Sequence, residues 1–118
     1  MLRTVLLALM LASPAAAHER DTGPNGGARV DAAPYRVELV TDGTFVTVHI
    51  TMDDDSAVDT AMMSGTAMLL IGGKPVRVAL VPAAPGTLSA DTGVAVPSDV
   101  KGAVQILGAD GVTVQAKF

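Results

Sequence analysis

The sequence feature that most constrains the fold is an alternation of apolar and polar residues with a period of two. In the segment Tyr35–Leu39, apolar side chains alternate with Arg36 and Glu38. A half-buried β-strand has this pattern because successive side chains point to opposite faces of a sheet. No stretch sustains the apolar stripe that a helix would bury. Candidate strands cover residues 35–41, 44–52, 66–71, 74–81, 93–96, 101–107 and 112–118.

Short strands at this spacing predict an all-β domain of about seven strands, either an antiparallel, immunoglobulin-like β-sandwich or a small open barrel. The sequence does not choose between them, because it lacks the Cys–Trp–Cys signature: it contains no cysteine and no tryptophan. Aromatic residues make up only 3% of the chain. The core must therefore be filled by Val, Leu, Ile, Ala and Met.

The first predicted hairpin places a histidine on the polar face of the sheet. Asp42 and Gly43 form the dipeptide that a type I′ turn prefers. With these two residues as the loop, Arg36 lies opposite His49, and Glu38 lies diagonal to it. The other face then pairs apolar residues only: Leu39 with Val46, Val37 with Val48, and Tyr35 with Ile50.

The start of the chain has the pattern of an export signal. Arg3 supplies a positive charge, Val5–Ala12 is apolar, and Pro14 precedes Ala15–Ala17. A small residue before the cleavage point is typical of secretory signals, whereas a membrane span needs about 20 apolar residues. We therefore predict a cleaved signal peptide over residues 1–17 and a periplasmic or secreted protein with no membrane anchor in its mature form.

Two further segments are predicted in the mature chain. Residues 18–33 are polar and rich in turn residues, which indicates a flexible lead-in and turn, and residues 34–118 form a single β domain. The chain from residue 18 carries seven basic and twelve acidic side chains, a net charge of −5. This charge argues against nucleic acid as a partner. Without cysteine, the domain folds without disulfides and has no thiol chemistry.

The two histidines of the chain suggest a metal site. Cleavage after Ala17 would give His18 a free α-amine beside its imidazole, and the two groups can chelate one ion. His49 would add a second imidazole, and this donor set suits copper or zinc. Both residues also have a plainer interpretation, because a histidine in a polar lead-in or on a strand surface is usually only solvated.

Adjacent methionines provide a second candidate for metal binding. Met62 and Met63 lie in the predicted connection over residues 52–65, and thioethers are soft donors suited to Cu(I). Core packing is the alternative, because methionine often fills gaps in apolar cores. The aspartates of this connection do not match a calcium-binding loop, since Val58 stands where that loop requires glycine.

The sequence contains no recognisable catalytic motif. Its glycine-rich turns are not followed by the Gly-Lys-Ser/Thr of a phosphate loop, and neither histidine stands in a known nucleophile motif. We therefore expect a protein that is not an enzyme.

The strings GPNGGARVDAAPYRVELVTDG and KGAVQILGADGVTVQAKF carry a resemblance to small exported bacterial proteins and to the extra periplasmic domain of heavy-metal efflux adaptor (membrane-fusion) proteins. The resemblance implies a periplasmic β domain associated with copper, cobalt, zinc or cadmium. It also implies a histidine-rich start and a histidine near Arg36. This chain departs from that pattern, because only His18 remains in the lead-in.

Together these observations predict a periplasmic metal-binding accessory protein for copper or other heavy-metal handling and resistance. Its ligands would be His18, His49, Met62 and Met63, and its partners would be metal-efflux or other envelope proteins. The alternative is a metal-free interaction module that engages another envelope protein through a sheet edge or through the Met62 loop.

Overall fold

The computed structural model describes residues 20–118, so the predicted signal peptide and His18 lie outside the described residues. Nine strands are present in this range. They are β1 (Asp21–Thr22), β2 (Ala28–Ala32), β3 (Tyr35–Asp42), β4 (Phe45–Met52), β5 (Ser64–Ile71), β6 (Lys74–Pro82), β7 (Thr87–Asp91), β8 (Lys101–Leu107) and β9 (Thr113–Lys117). Residues 20–118 contain no helix, and so none that could cross a membrane.

All nine strands belong to one antiparallel sheet with the order β1-β2-β3-β4-β7-β6-β5-β8-β9. The sheet curls into a half-barrel, and β2 approaches β9 near its open side. The sheet has two halves, β1-β2-β3-β4-β7 and β6-β5-β8-β9. Only two residue pairs join them, Val81 with Ser89 and Pro82 with Leu88. The all-β prediction is confirmed, but the structure has nine strands where about seven were predicted.

The core lies between the inner faces of the two halves. Alternation places one face of each strand inward, as the pattern in the sequence predicts. Aliphatic residues and a single methionine make up this core: Val30, Ala32, Val37, Leu39, Val46, Val48, Ile50, Met63, Ala67, Leu69, Leu80, Leu88, Val96, Val100, Val104, Ile106 and Ala116. The domain therefore has an aliphatic core, as the scarcity of aromatic residues requires.

The first hairpin has a different register from the predicted one. Asp42 pairs with Phe45, so that Gly43 and Thr44 are the two loop residues. Gly43 has φ +62° at the first loop position, where a type II′ turn requires glycine. Each partner is displaced by two residues, which keeps every side chain on its predicted face. The predicted pairs are wrong, however, and the residue opposite His49 is Glu38 rather than Arg36. The apolar pairs are Leu39 with Val48, Val37 with Ile50, and Tyr35 with Met52.

Two other predictions differ from the structure. The described part of the predicted flexible lead-in over residues 18–33 contains β1 and β2, because Val30 and Ala32 alternate with polar residues and are buried in the core. The weak strand predicted over residues 93–96 is wrong, and the strand in this region is β7. Val96, which follows β7 in the chain, is buried, and its N–H donates a hydrogen bond to the Gly43 carbonyl.

Candidate functional site: a cleft beside His49

A row of polar side chains crosses the outer face of the half formed by β1, β2, β3, β4 and β7. Residues paired across neighbouring strands lie on the same face of a sheet. The pairing therefore aligns, in order across five strands, Asp21, Arg29, Glu38, His49 and Thr87. The first three of these side chains alternate in charge. His49 thus lies next to a carboxylate in the row.

Glu38 is the fixed centre of this row. Its side chain points away from the core, yet the residue is only 2% exposed because the turn between β1 and β2 covers it. The carboxylate accepts hydrogen bonds from the Asn25 backbone N–H at 2.9 Å, the Asn25 side-chain amide at 2.9 Å and the Gly27 N–H at 2.8 Å. A buried carboxylate requires such donors. Glu38 therefore holds the turn against the sheet.

Gly23 makes the close approach of this turn possible. The residue is buried, and a Cβ added to it would overlap the Glu38 carboxyl group and lie 2.7 Å from its Cγ. Any larger side chain would push the turn and the carboxylate apart. The glycine-rich string of the lead-in is thus part of a packed turn.

A cleft of about 670 Å³ opens beside this row. The turn between β1 and β2 forms one wall, the outer face of β2, β3 and β4 forms the floor, and the connections β4–β5 and β6–β7 complete the rim. The lining residues are Thr22, Gly23, Pro24, Asn25, Arg29, Arg36, Glu38, His49, Ile50, Thr51, Asp55, Ala57, Val58, Pro85 and Gly86. The volume falls in the range of small-molecule sites.

Two arginines in the cleft have carboxylate partners. Arg29 donates from Nε and Nη2 to Asp21 at 3.1 and 3.0 Å. This hydrogen-bonded pair lowers the pKa of the Asp21 carboxyl and raises the pKa of Arg29. Arg36 lies 3.5 Å from both Asp31 and Asp55, and Asp55 also lies 3.6 Å from Arg29. Asp55 therefore stands between the two guanidinium groups.

The structure separates the predicted site residues. His49 lies half-buried on β4, in the floor of the cleft. Met62 is 81% exposed, whereas Met63 is 4% exposed and belongs to the core, and neither lines the cleft. A thioether buried in the core is occupied by packing. Of the four residues predicted to bind metal, the described part of the chain places only His49 in the cleft.

No cluster of the common metal-binding side chains is found among the described residues. Within residues 20–118, no group of three or more His, Cys, Asp or Glu side chains is arranged to hold a metal ion. The carboxylate nearest to His49 in the row already accepts three hydrogen bonds from Asn25 and Gly27.

Sequence reasoning missed Glu38, Asn25 and Arg29 as residues of this site. Glu38 was placed on the polar face, and nothing in its local pattern indicates burial. The available signal was the string Gly23–Gly27, whose turn residues could have suggested a turn that folds back on the sheet.

No protein-family model, curated protein or solved structure matches this chain in comparisons with known proteins.

Proposed function

We propose that this is an exported, periplasmic protein that binds copper or zinc as cargo in the cleft, through His49 and the amino-terminal residue His18. The proposal includes the cleaved signal peptide, a role in metal handling with envelope partners, and no catalysis. A single observation carries it: Thr22, two residues after the start of the described chain, and His49 line the same cleft.

The reach of the chain supports the pairing of the two histidines. Asp21 and His49 lie in the same cross-strand row, three strand spacings apart. At about 4.8 Å per spacing, this is roughly 14 Å between Cα atoms. His18 precedes Asp21 by three residues, which span at most roughly 10 Å. When residues 18–20 run across the row towards His49, the side chains of His18 and His49 span the remaining distance between the two residues.

The electrostatics near His49 also favour a cation more than the sequence indicated. The predicted register placed the positive charge of Arg36 directly opposite His49. In the structure the opposite residue is the buried carboxylate Glu38, whose negative charge favours a cation nearby. When bound, copper or zinc would take the imidazole of His49 together with the imidazole and α-amine of His18.

The test is a calorimetric titration of the mature protein with Cu(II) and Zn(II), after mass spectrometry has verified that the chain begins at His18. We expect a dissociation constant below about 1 μM, which corresponds to roughly 8 kcal/mol. Both His18→Ala and His49→Ala should weaken binding at least tenfold. A titration with Cu(I) under reductant, repeated on Met62→Ala, tests the exposed thioether.

Two controls isolate the proposed ligands. Thr47→Ala changes a half-buried residue on the same face of β4 as His49, two positions earlier, and should leave binding unchanged. A chain with one extra residue before His18 keeps both imidazoles but moves the α-amine away, and should bind Cu(II) more weakly. Binding that survives loss of both histidines would contradict the proposal.

A metal-free interaction module is the second candidate, and exposed apolar side chains favour it. Met62 is 81% exposed, and Leu70 on the outer face of β5 is 55% exposed. The strand β9 also forms one edge of the sheet. Such features are common where a protein meets a partner. This candidate predicts that Met62→Asp or a charge placed on β9 abolishes capture of an envelope partner, while His49→Ala does not.

A further inference from the structure

The two arginines of the cleft differ in the number and length of the hydrogen bonds that their N–H groups donate. Arg29 makes two hydrogen bonds to Asp21 at 3.1 and 3.0 Å. Arg36 donates one long hydrogen bond, from Nη1 to Asp55 at 3.5 Å, which is beyond the usual range for N–H···O bonds. Its Nε lies 3.5 Å from Asp31 and is buried without a hydrogen-bond partner. A guanidinium group has five N–H donors. The buried Nε is out of reach of a ligand, but the Arg36 side chain is 32% exposed and its Nη groups make only the one long bond, so they keep donors that a bound anion could use.

Asp55 is the group that a bound anion would replace. Its carboxylate lies 3.5 Å from Arg36 and 3.6 Å from Arg29, so it stands between two positive charges without a short bond to either. Its side chain is 63% exposed, and its φ of +68° is unusual for a residue other than glycine. Exposed ion pairs of this kind contribute little to stability, because water screens both charges. Displacing Asp55 from the arginines therefore costs little.

The rest of the cleft suits an apolar group. Pro24, Ala57, Val58 and Pro85 line it around the arginines. The negative charge of Glu38 disfavours an anion directly beside it. Glu38 is paired with His49, however, whereas Arg36 is paired with Thr51, and the Glu38 oxygens accept hydrogen bonds from the turn. The site thus combines one underused guanidinium group with apolar walls. This combination matches a ligand with one carboxylate and a hydrocarbon body.

We infer that the cleft binds a small carboxylic acid with an apolar body, that Arg36 holds the ligand carboxylate, and that Asp55 occupies the place of that carboxylate when no ligand is bound. This site goes beyond the proposed metal function, because it uses neither histidine as a ligand and needs no metal.

The test is binding of hexanoate to the mature, metal-free protein in the presence of EDTA, measured by calorimetry and by NMR shifts of backbone amides in the cleft. Acetate has the carboxylate without the body, and hexanol has the body without the carboxylate. We expect hexanoate to bind with a dissociation constant below about 1 mM, and both partial probes to bind at least tenfold more weakly.

Opposed variants sharpen this test. Arg36→Gln should weaken hexanoate binding at least tenfold, whereas Asp55→Asn should tighten it about threefold or more by removing the internal competitor. Arg77→Gln is the matched control, because Arg77 is an exposed arginine on β6 that does not line the cleft, and it should change nothing.

Three results would overturn the inference: hexanol binding as tightly as hexanoate, Arg36→Gln without effect, or Asp55→Asn weakening the complex. Thermal unfolding checks that each variant is folded. If Arg36→Gln does not fold, the required tightening in Asp55→Asn still decides the question. If hexanoate does not bind as expected but Cu(II) binds tightly, the carboxylate site is rejected and the metal proposal stands.

Discussion

Gly23 and Glu38 should be strongly coupled in a double-mutant cycle. A Cβ at position 23 would overlap the Glu38 carboxyl group, so Gly23→Ala must displace either the turn or the carboxylate. Overpacking of a buried site costs about 1–3 kcal/mol. Displacing the turn or the carboxylate would also weaken the hydrogen bonds that Glu38 accepts. Asn25 is exposed, so its donors would then bond to water, which offsets part of this loss. We therefore expect Gly23→Ala to lower the free energy of unfolding by about 3 kcal/mol.

The same substitution should be nearly harmless once the carboxylate is gone. In the Glu38→Ala background the added methyl group has space, and the φ of Gly23 is not in the left-handed region. Gly→Ala at a compatible position stabilises by about 0.4–1 kcal/mol through the unfolded state. The loss of about 3 kcal/mol with Glu38 and the gain of about 0.4–1 kcal/mol without it give a coupling free energy of about 3.5–4 kcal/mol, just above the usual range for contacting residues.

Urea unfolding of the four proteins in the cycle measures this coupling, provided that the slope of free energy against urea stays constant. Gly26→Ala serves as the control. Gly26 has φ +84° and open space around its Cα, so alanine there should cost about 1 kcal/mol in both backgrounds. If Gly23→Ala costs the same with and without Glu38, to within about 0.5 kcal/mol, the packing argument is refuted.

Three other predictions follow from single contacts. Gly102→Ala should lower the free energy of unfolding in urea by about 3 kcal/mol or more, because φ is +155° and the new Cβ would overlap the Met68 carbonyl. An unchanged free energy of unfolding would contradict this close packing of residue 102 against residue 68. Leu88 is fully buried, so Leu88→Ala should lower the free energy of unfolding by about 2–5 kcal/mol. A loss below about 1 kcal/mol would contradict this, because it would mean that neighbouring side chains fill the cavity. The Arg29 partner lowers the pKa of Asp21 from 3.8, so the stability from this pair is present above that value and is lost as the pH falls through the lower folded pKa. Asp21→Asn should therefore flatten the loss of stability in acid, and an unchanged acid limb would contradict this assignment.

The sequence predicted most strands and the faces of their side chains. Alternation identified the strands around Val37 and Val48, and these residues are fully buried as expected. It also placed His49 on the polar face of β4. These features depend on a period of two within one strand, and this period does not change with the partner strand.

The register of the first hairpin and the burial of Glu38 could not be read from the same pattern. Both possible registers keep each residue on its face, and the choice depends on whether Gly43 is the first or the second loop residue. Glu38 is buried because a turn 13 residues earlier in the chain folds over it. The pattern of one strand carries no information about that contact.

By itself, the sequence determined an all-β, aliphatic-core domain whose polar face carries His49, because strand periodicity and turn residues act locally. Only the tertiary structure decided which residues meet: it placed Glu38 opposite His49, set Asp55 between two arginines and put Met63 in the core. These juxtapositions depend on contacts between segments distant in the chain. Curling of the sheet, closure of turns and burial of apolar area fix those contacts jointly.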